Sequence, residues 1–134
     1  MRLEPLYRIR WTTPEAWSVE GQSSFLAEGR CEGRVAGRFR AANFPRRRDD
    51  GTLLPDFRGV VETDDGAVLM IALRGYLRTE REGRRELVGS VTHVSDDERY
   101  AHLNDAVCAV GGEVGPGGVV VEVAELVWEP LETS

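Results

Sequence analysis

Apolar and polar residues alternate along much of this chain with a period of two, which is the pattern of half-buried β-strands. Near the start, Tyr7, Ile9 and Trp11 alternate with Arg8 and Arg10. No stretch repeats apolar residues at the spacing of a long amphipathic helix. We therefore predict strands at residues 3–11, 24–32, 34–42, 57–63, 67–79, 86–95, 106–110 and 118–128.

The clearest turn lies between the predicted strands 57–63 and 67–79. There Asp64, Asp65 and Gly66 combine residues that favour tight hairpins. We predict a three-residue loop, because it sorts the flanking side chains onto two faces better than a two-residue loop does. One face then holds Phe57, Val61, Leu69, Ile71 and Leu73, and the other holds Arg58, Val60, Glu62, Val68, Met70 and Arg74.

The other connections are predicted from their turn and helix-start residues. Residues 12–15 are typical of a cap followed by proline, which predicts at most one helical turn or a loop. Residues 43–54 form a predicted mobile loop that could serve as a lid. We also predict a charged turn at 80–85, a capped helical turn after Ser95 and a glycine-rich turn at 111–118.

Consecutive strands joined by short turns indicate an up-and-down meander, and about eight such strands usually close because closure removes exposed edges. Glycines within the predicted strands, such as Gly29 and Gly37, suggest the bends that closure requires. The predicted fold is all-β: residues 1–134 form a single domain, an antiparallel up-and-down β-barrel around a small pocket. A β-sandwich is the alternative.

The composition fits one globular domain, with 134 residues, 41% hydrophobic and 30% charged. A net charge of −6 makes nucleic acid an unsuitable partner, because phosphate binding needs clustered cations. The strongest basic cluster, residues 46–48, is followed directly by Asp49 and Asp50. We therefore expect neither nucleic acid nor a membrane surface as a partner.

The start of the sequence does not combine positive charge with a long apolar run, so we expect no signal peptide, and the longest apolar run, residues 68–73, is too short to span a bilayer. We therefore expect a cytoplasmic protein whose two cysteines, Cys31 and Cys108, are reduced and packed as small apolar side chains. The two histidines lack the paired spacing of a metal site. Phosphate-loop and nucleophile-elbow motifs are absent, and no cofactor is expected.

Several short stretches occur in a characteristic order: Leu3-Glu4-Pro5-Leu6-Tyr7, Thr63-Asp64-Asp65-Gly66-Ala67, Arg74-Gly75, Arg99-Tyr100-Ala101-His102-Leu103-Asn104 and Gly117-Gly118-Val119-Val120-Val121-Glu122-Val123. Over nearly the whole chain they resemble the DUF3237 family, also called UPF0311, of small bacterial and fungal proteins. The most specific parts of the resemblance are the Thr-Asp-Asp-Gly-Ala turn and the Tyr-x-x-Leu-Asn motif. Neither is a catalytic signature.

The resemblance implies a calycin-like or allene-oxide-cyclase-like barrel, often dimeric, with a role accessory to small-molecule metabolism and no settled activity. Met70, Ala72 and Leu73 stand where relatives commonly carry tyrosine, arginine and asparagine. His93 and His102 stand where aromatic residues are expected. If the replaced polar residues form the family's site, the pocket of this protein is more apolar.

The first candidate site combines the two histidines with nearby polar residues. His93, Tyr100, His102 and Asn104 could cluster at the barrel mouth, bind a carbonyl or phenol and move a proton, with His93 and Tyr100 as the catalytic groups. The alternative is a turn held together by side-chain hydrogen bonds, with His102 in solvent and Asn104 as a cap.

The second candidate site lies on the hairpin. Arg58, Glu62 and Arg74 share one face across adjacent predicted strands. If that face is interior, the three could bind a carboxylate or enolate, and Met70 would line the pocket as an adaptable apolar wall. If it is exterior, they form ordinary cross-strand ion pairs.

Three functions are compatible with these residues. The first is a barrel that binds a small, largely apolar organic ligand; as an enzyme it would be a cyclase or isomerase that needs no cofactor. The second is a non-catalytic carrier with the same fold. The third is a structural or interaction protein with a filled barrel. A homodimer is the expected assembly. A cavity of roughly 300 Å³ or more would separate the third function from the other two.

Overall fold

The computed structural model describes residues 1–79 and 84–132. Among these residues the helical structure is a 3₁₀ turn, Ala101–Leu103, and none of them forms a helix long and apolar enough to cross a membrane. The strands are β1 (Arg2–Val19), β2 (Gln22–Gly33), β3 (Gly37–Asn43), β4 (Arg46–Arg47), β5 (Leu53–Leu54), β6 (Asp56–Thr63), β7 (Val68–Thr79), β8 (Arg85–Val94), β9 (Cys108–Gly115) and β10 (Gly118–Val127).

Eight of these strands close into an antiparallel barrel. Their order around the ring is β1, β2, β3, β6, β7, β8, β9 and β10, and β10 pairs with β1. Each strand therefore pairs with its neighbours along the chain, apart from the excursion through β4 and β5. This confirms the predicted up-and-down barrel and excludes the sandwich.

Strands β4 and β5 form a short hairpin outside the ring, within the segment predicted to be a loop. Leu53 on β5 pairs with Leu77 on β7, in the same register as the pair of Asp56 on β6 with Arg74. β5 and β6 thus pair with β7 as one antiparallel segment. The pairing is interrupted at Pro55 between them, which has no backbone N–H to donate. The hairpin extends the barrel wall at one end.

Glycines on the inner face of the wall allow the strong curvature of the barrel. A Cβ atom at Gly29 would collide with the backbone of Arg10 and Trp11 on β1. Gly75 and Gly89 face each other across β7 and β8, and a Cβ atom on either would collide with the backbone of the other strand. The predicted close approach at the strand glycines is confirmed.

The inside of the barrel is filled by side chains. Trp11 packs against Phe39 and Phe57, with ring centroids 5.5 and 5.3 Å apart. The largest side chains with less than 2% exposure are Phe39, Ile9, Leu69, Leu73, Leu103, His93, Val35, Val61, Val91, Val121, Val123 and Cys31. Around these residues the barrel has a packed core instead of the predicted pocket.

The β6–β7 hairpin agrees with its prediction. Thr63 and Ala67 bond across the turn, with the Thr63 N–H donating to the Ala67 carbonyl at 2.9 Å, so the loop has three residues. Phe57, Val61, Leu69, Ile71 and Leu73 are buried, whereas Arg58, Glu62, Val68, Met70 and Arg74 are exposed. The predicted charged turn at 80–85 includes residues 80–83, which lie outside the described residues.

Three predicted connections are wrong. Residues 12–15 continue β1, which pairs with β2 as far as Val19 and carries an irregularity between Thr12 and Glu15. The predicted turn at 111–118 is reduced to residues 116–117, because residues 111–115 pair with β10 and belong to β9. After Ser95 the chain makes hydrogen-bonded turns, and helical geometry begins only at Ala101.

Candidate functional site

The two most distinctive motifs of the sequence meet at one end of the barrel. Tyr100 donates its hydroxyl hydrogen to the carboxylate of Asp65, with distances of 2.8 and 3.0 Å to the two oxygens. Arg99 Nη1 lies 3.1 Å from the same carboxylate. Hydrogen bonds from Thr63 and Tyr100 lower the pKa of Asp65. The β6–β7 turn is thereby tied to the segment that follows β8.

Asn104 fastens the same end by bonding to the backbone of Ser95. Its Oδ1 accepts the Ser95 N–H at 2.8 Å, and its Nδ2 donates to the Ser95 carbonyl at 3.0 Å. Between these contacts Leu103, 1% exposed, packs into the core. We call this set the clasp; its members are Thr63, Asp65, Ser95, Arg99, Tyr100 and Asn104. The clasp closes the end of the barrel.

The four residues expected to cluster at the barrel mouth are not brought together. Tyr100 and Asn104 belong to the clasp. His102 is exposed on the 3₁₀ turn. His93 points into the barrel, where it bonds to a residue of β1. The arrangement of Tyr100, His102 and Asn104 agrees with the alternative of a turn held by side-chain hydrogen bonds.

His93 and Tyr7 form a buried polar pair inside the barrel. The Tyr7 hydroxyl lies 2.6 Å from His93 Nε2, and the two rings meet edge to face with centroids 5.7 Å apart. Burial lowers the pKa of His93 to about 4. Burial also raises the pKa of Tyr7 well above its ordinary value. Both groups are therefore neutral near neutral pH.

The surroundings of this pair are also neutral. Burial raises the pKa of Cys31 to about 12 and that of Cys108 to about 11, so both thiols keep their protons. The Nδ1 atom of His93 is buried and has no hydrogen-bond partner among the described residues. Within residues 1–79 and 84–132, no group of three His, Cys, Asp or Glu side chains is placed to hold a metal ion.

The hairpin residues Arg58, Glu62 and Arg74 point outward, which excludes an interior triad. Glu62 forms an ion pair with Arg40. The carboxylate that lies between Arg58 and Arg74 is that of Asp56, with Oδ1 3.4 Å from Arg74 Nε and 3.7 Å from Arg58 Nε. The exterior alternative of cross-strand ion pairs is therefore the observed one, with Asp56 as the shared anion.

A groove on the outer face lies between the β4–β5 hairpin and strands β7 and β8. It has a volume of about 550 Å³. We call it the hairpin groove; it is lined by Arg46, Leu54, Pro55, Asp56, Arg74, Gly75, Tyr76, Gly89 and Ser90. The lining side chains share the outer face because Arg46 pairs with Leu54, Asp56 with Arg74, and Arg74 with Ser90.

The charges of the hairpin groove are not balanced. Arg74 is paired with Asp56, whereas the guanidinium group of Arg46 has no hydrogen bond or ion pair to any described residue. A second outer groove of about 590 Å³ runs beside Pro14, Leu26 and Val60. Two arginines that line it, Arg38 and Arg40, are paired with Glu28 and Glu62, respectively. The hairpin groove thus differs in offering a guanidinium group without a partner.

The outer surface also has two contrasting walls. On β2, β3 and β6 it carries ion pairs such as those of Arg38 and Arg40. On β7 to β10 and the start of β1 many outward-facing residues are uncharged, and Val68, Met70 and Val94 are each more than half exposed. We call this second surface the uncharged wall; its members are Leu3, Pro5, Val68, Met70, Ala72, Thr92, Val94, Val107, Ala109, Ala124 and Leu126.

Sequence reasoning missed Tyr7, Arg46 and Tyr76. Tyr7 was assigned to a strand face, but its partner His93 lies 86 positions away, and no local pattern connects them. Arg46 lies in a run of three arginines, and the two aspartates that follow directly offset most of its positive charge. The strand pairing that places it on the face of Leu54 and Arg74 could not be read from that run.

Solved structures similar to this chain share its fold. A β-barrel-like protein from Acinetobacter baumannii AYE matches with a TM-score of 0.83 and 19% identity, over 92% of this chain and 94% of that one. A protein of unknown function from Rhodopseudomonas palustris matches with a TM-score of 0.80 and 16% identity, over 94% and 97%. An enzyme from Penicillium herquei matches with a TM-score of 0.70 and 19% identity, over 92% of each chain.

At these identities the similarity establishes the fold alone. No curated protein matches the sequence. The model of the DUF3237 family, described as proteins of unknown function, matches residues 1–126, which include both motifs of the clasp. The chain therefore belongs to the DUF3237 family.

Proposed function

We propose that this protein binds a small organic molecule in the hairpin groove, on the outside of its barrel. The observation that carries the proposal is the guanidinium group of Arg46, which has no partner among the described residues and lies in a groove of about 550 Å³. That volume lies within the range of about 300–1,000 Å³ that is usual for ligand sites. The side chains around His93 inside the barrel are instead closely buried against one another.

The lining of the groove combines the two kinds of contact that ligand sites need. Leu54 and Pro55 supply apolar surface, and the ring of Tyr76 is half exposed. Arg46, Arg74 and the hydroxyl of Ser90 supply polar groups that can orient a ligand. The segment 43–54, which the sequence suggests as a lid, contains the β4–β5 hairpin at one side of the groove. We also propose a cytoplasmic location, which is compatible with the free, buried thiols of Cys31 and Cys108.

The test uses two arginines that are neighbours on β4. The groove contains Arg46, whereas the side chain of Arg47 leaves the strand on its opposite face. Wild type, Arg46→Gln and Arg47→Gln are purified gently from the native host and measured by native mass spectrometry. A small molecule retained by wild type and Arg47→Gln but lost from Arg46→Gln supports the proposal.

A fragment library titrated against the labelled protein completes the test. Chemical-shift changes should concentrate at the backbone amides of Tyr76 and Ser90. A library in which no member shifts these amides, or a host molecule retained equally by all three proteins, contradicts binding in the hairpin groove.

The second candidate function is a cyclase or isomerase that works inside the barrel. The observation that favours it is the buried Nδ1 of His93, which has no partner and could meet a ligand atom. In this function His93 and Tyr7 move the proton, and Tyr100 controls access by opening the clasp. The same titration distinguishes the two sites, because an interior ligand would shift the imidazole signals of His93 instead of the groove amides.

We further propose a homodimer that forms through the uncharged wall. The occupant is a second copy of this chain, because two identical uncharged walls can pack without burying an unpaired charge. Met70→Glu should shift the assembly to a monomer in size-exclusion chromatography with light scattering. Val19→Glu, a change at an equally exposed apolar residue on the β1–β2 hairpin, should leave the dimer intact. A monomeric wild type would exclude the dimer.

A further inference from the structure

We infer that the ligand of the hairpin groove is a planar organic monoanion, such as an aromatic carboxylate. This inference rests on the proposed function and names its ligand class. The first argument is charge. Arg46 and Arg74 are the cations of the groove and Asp56 is its anion. The Asp56 carboxylate is itself shared between Arg74 and Arg58, at 3.4 and 3.7 Å.

This balance favours one negative charge on the ligand. Arg46 has no partner among the described residues, so a ligand carboxylate could take both of its parallel N–H donors. A cationic ligand would face two guanidinium groups. A second negative charge would lie beside Asp56, whose carboxylate already occupies Arg74. A monoanion satisfies Arg46 without displacing the existing ion pair.

The second argument is shape. Gly75 and Gly89 pair directly across β7 and β8 and contribute only backbone to the floor of the groove. Arg74 and Ser90, also paired, lie at one side of this floor, and Tyr76 lies on the other. Leu54 and Pro55 form an apolar side wall. A floor that carries no side chains, between an aromatic ring and an aliphatic wall, leaves room for a ring system to lie against it.

The third argument is the arrangement of polar and apolar groups. Arg46 lies on the hairpin side of the groove, where it pairs with Leu54 along the edge of the sheet. The phenol of Tyr76 and the hydroxyl of Ser90 are neutral groups that can donate to or accept from ring substituents. The ligand would therefore direct its carboxylate to Arg46 and lay its ring over the glycine floor.

The experiment compares three probes of equal shape: 2-naphthoate, the neutral 2-naphthamide and the cationic 2-naphthylmethylamine. Dissociation constants are measured from the amide signals of Tyr76 and Ser90. We expect 2-naphthoate to bind more tightly than 2-naphthamide by on the order of tenfold, as for a hydrogen-bonded charge compared with a neutral group. The amine should bind most weakly.

The variants show whether Arg46 is the anchor. Arg46→Gln should remove the preference for 2-naphthoate over 2-naphthamide, whereas Arg47→Gln should keep it. Equal affinity of wild type for the carboxylate and the amide would overturn the monoanion inference while leaving binding in the groove intact. Absence of groove shifts with 2-naphthoate up to its solubility limit would also overturn it. The host-ligand and fragment experiments judge the proposed function separately.

Discussion

The inside of the barrel and the hairpin groove differ in almost every physical property. The interior is packed and, around Tyr7 and His93, consists of groups that burial keeps neutral. The groove is open to solvent and carries two guanidinium groups. From this difference we expect the polar pair inside the barrel to serve stability and the polar side chains of the hairpin groove to bind a ligand.

This difference between the interior and the groove gives one expectation for each region. Changes inside the barrel should alter the free energy of unfolding, and changes in the groove should alter ligand affinity. The comparison fails if a change inside the barrel alters only ligand affinity, or if a change in the groove alters only the free energy of unfolding.

Phe39→Ala should produce the largest loss of stability. Phe39 is fully buried and packs against Trp11, so its removal leaves a cavity in the core. We expect a loss of about 3–5 kcal/mol in the free energy of unfolding, measured by urea denaturation. The matched control is Phe44→Ala, because Phe44 is 58% exposed. A loss of similar size at Phe44 would contradict the assignment of the core.

Acid should destabilise the protein in a window set by His93. Its pKa is about 4 when folded and about 6.5 when unfolded. Between these values the unfolded chain binds the proton better, so stability falls as pH falls from about 6.5 to 4, by about 3 kcal/mol in all. The lowered pKa values of Asp65 and Asp97 affect the free energy of unfolding only at more acid pH.

The control for this pH dependence removes one histidine at a time. His93→Gln should flatten the curve of stability against pH in that window, although the variant is less stable overall. His102→Gln, a change at an exposed side chain that leaves His93 in place, should retain the fall in stability across that window. Equal slopes in wild type and His93→Gln would contradict the role of His93.

Tyr7→Phe should lower the free energy of unfolding by an intermediate amount. The change removes the only hydrogen bond that the described residues make to the His93 ring and leaves Nε2 buried without a partner. We expect a loss of about 1–3 kcal/mol in the free energy of unfolding. Tyr76→Phe, at a half-exposed tyrosine, should change stability by less than about 0.5 kcal/mol.

Tyr100→Phe should have a smaller effect that is local to the clasp. It removes the hydroxyl bond to Asp65, and we expect a cost of about 1 kcal/mol. The amide of Leu103 should then exchange its hydrogen faster, since the closed end of the barrel opens more often. Unchanged exchange at Leu103 would show that the clasp does not hold this end.

Arg74→Gln should have the smallest effect on stability. Its ion pair with Asp56 is exposed, so we expect a change of less than about 0.5 kcal/mol. The affinity for 2-naphthoate should nevertheless decrease, because the groove loses a cation. A variant that unfolds more easily but binds the ligand unchanged would reverse the proposed division between barrel and groove.

Alternation of side chains was sufficient to predict the barrel, since each wall strand faces the core on one side. It failed at residues 12–15 and 111–115, where cap and glycine signals suggested turns but partner strands extend the pairing. Local propensity cannot show which segments find a partner. For the same reason, His93 could be selected as a candidate while its contact with Tyr7 could not.

The common register of β5 and β6 along β7 bears on how the β4–β5 hairpin could vary among relatives. Asn43 already pairs with Phe57, so the barrel wall is complete without the residues between β3 and β6 that form the hairpin. Relatives can therefore lengthen, shorten or exchange this insert without altering the register of the eight-strand ring. Replacement of this one module would change the lining of the hairpin groove and leave the barrel, its packed centre and its clasp in place.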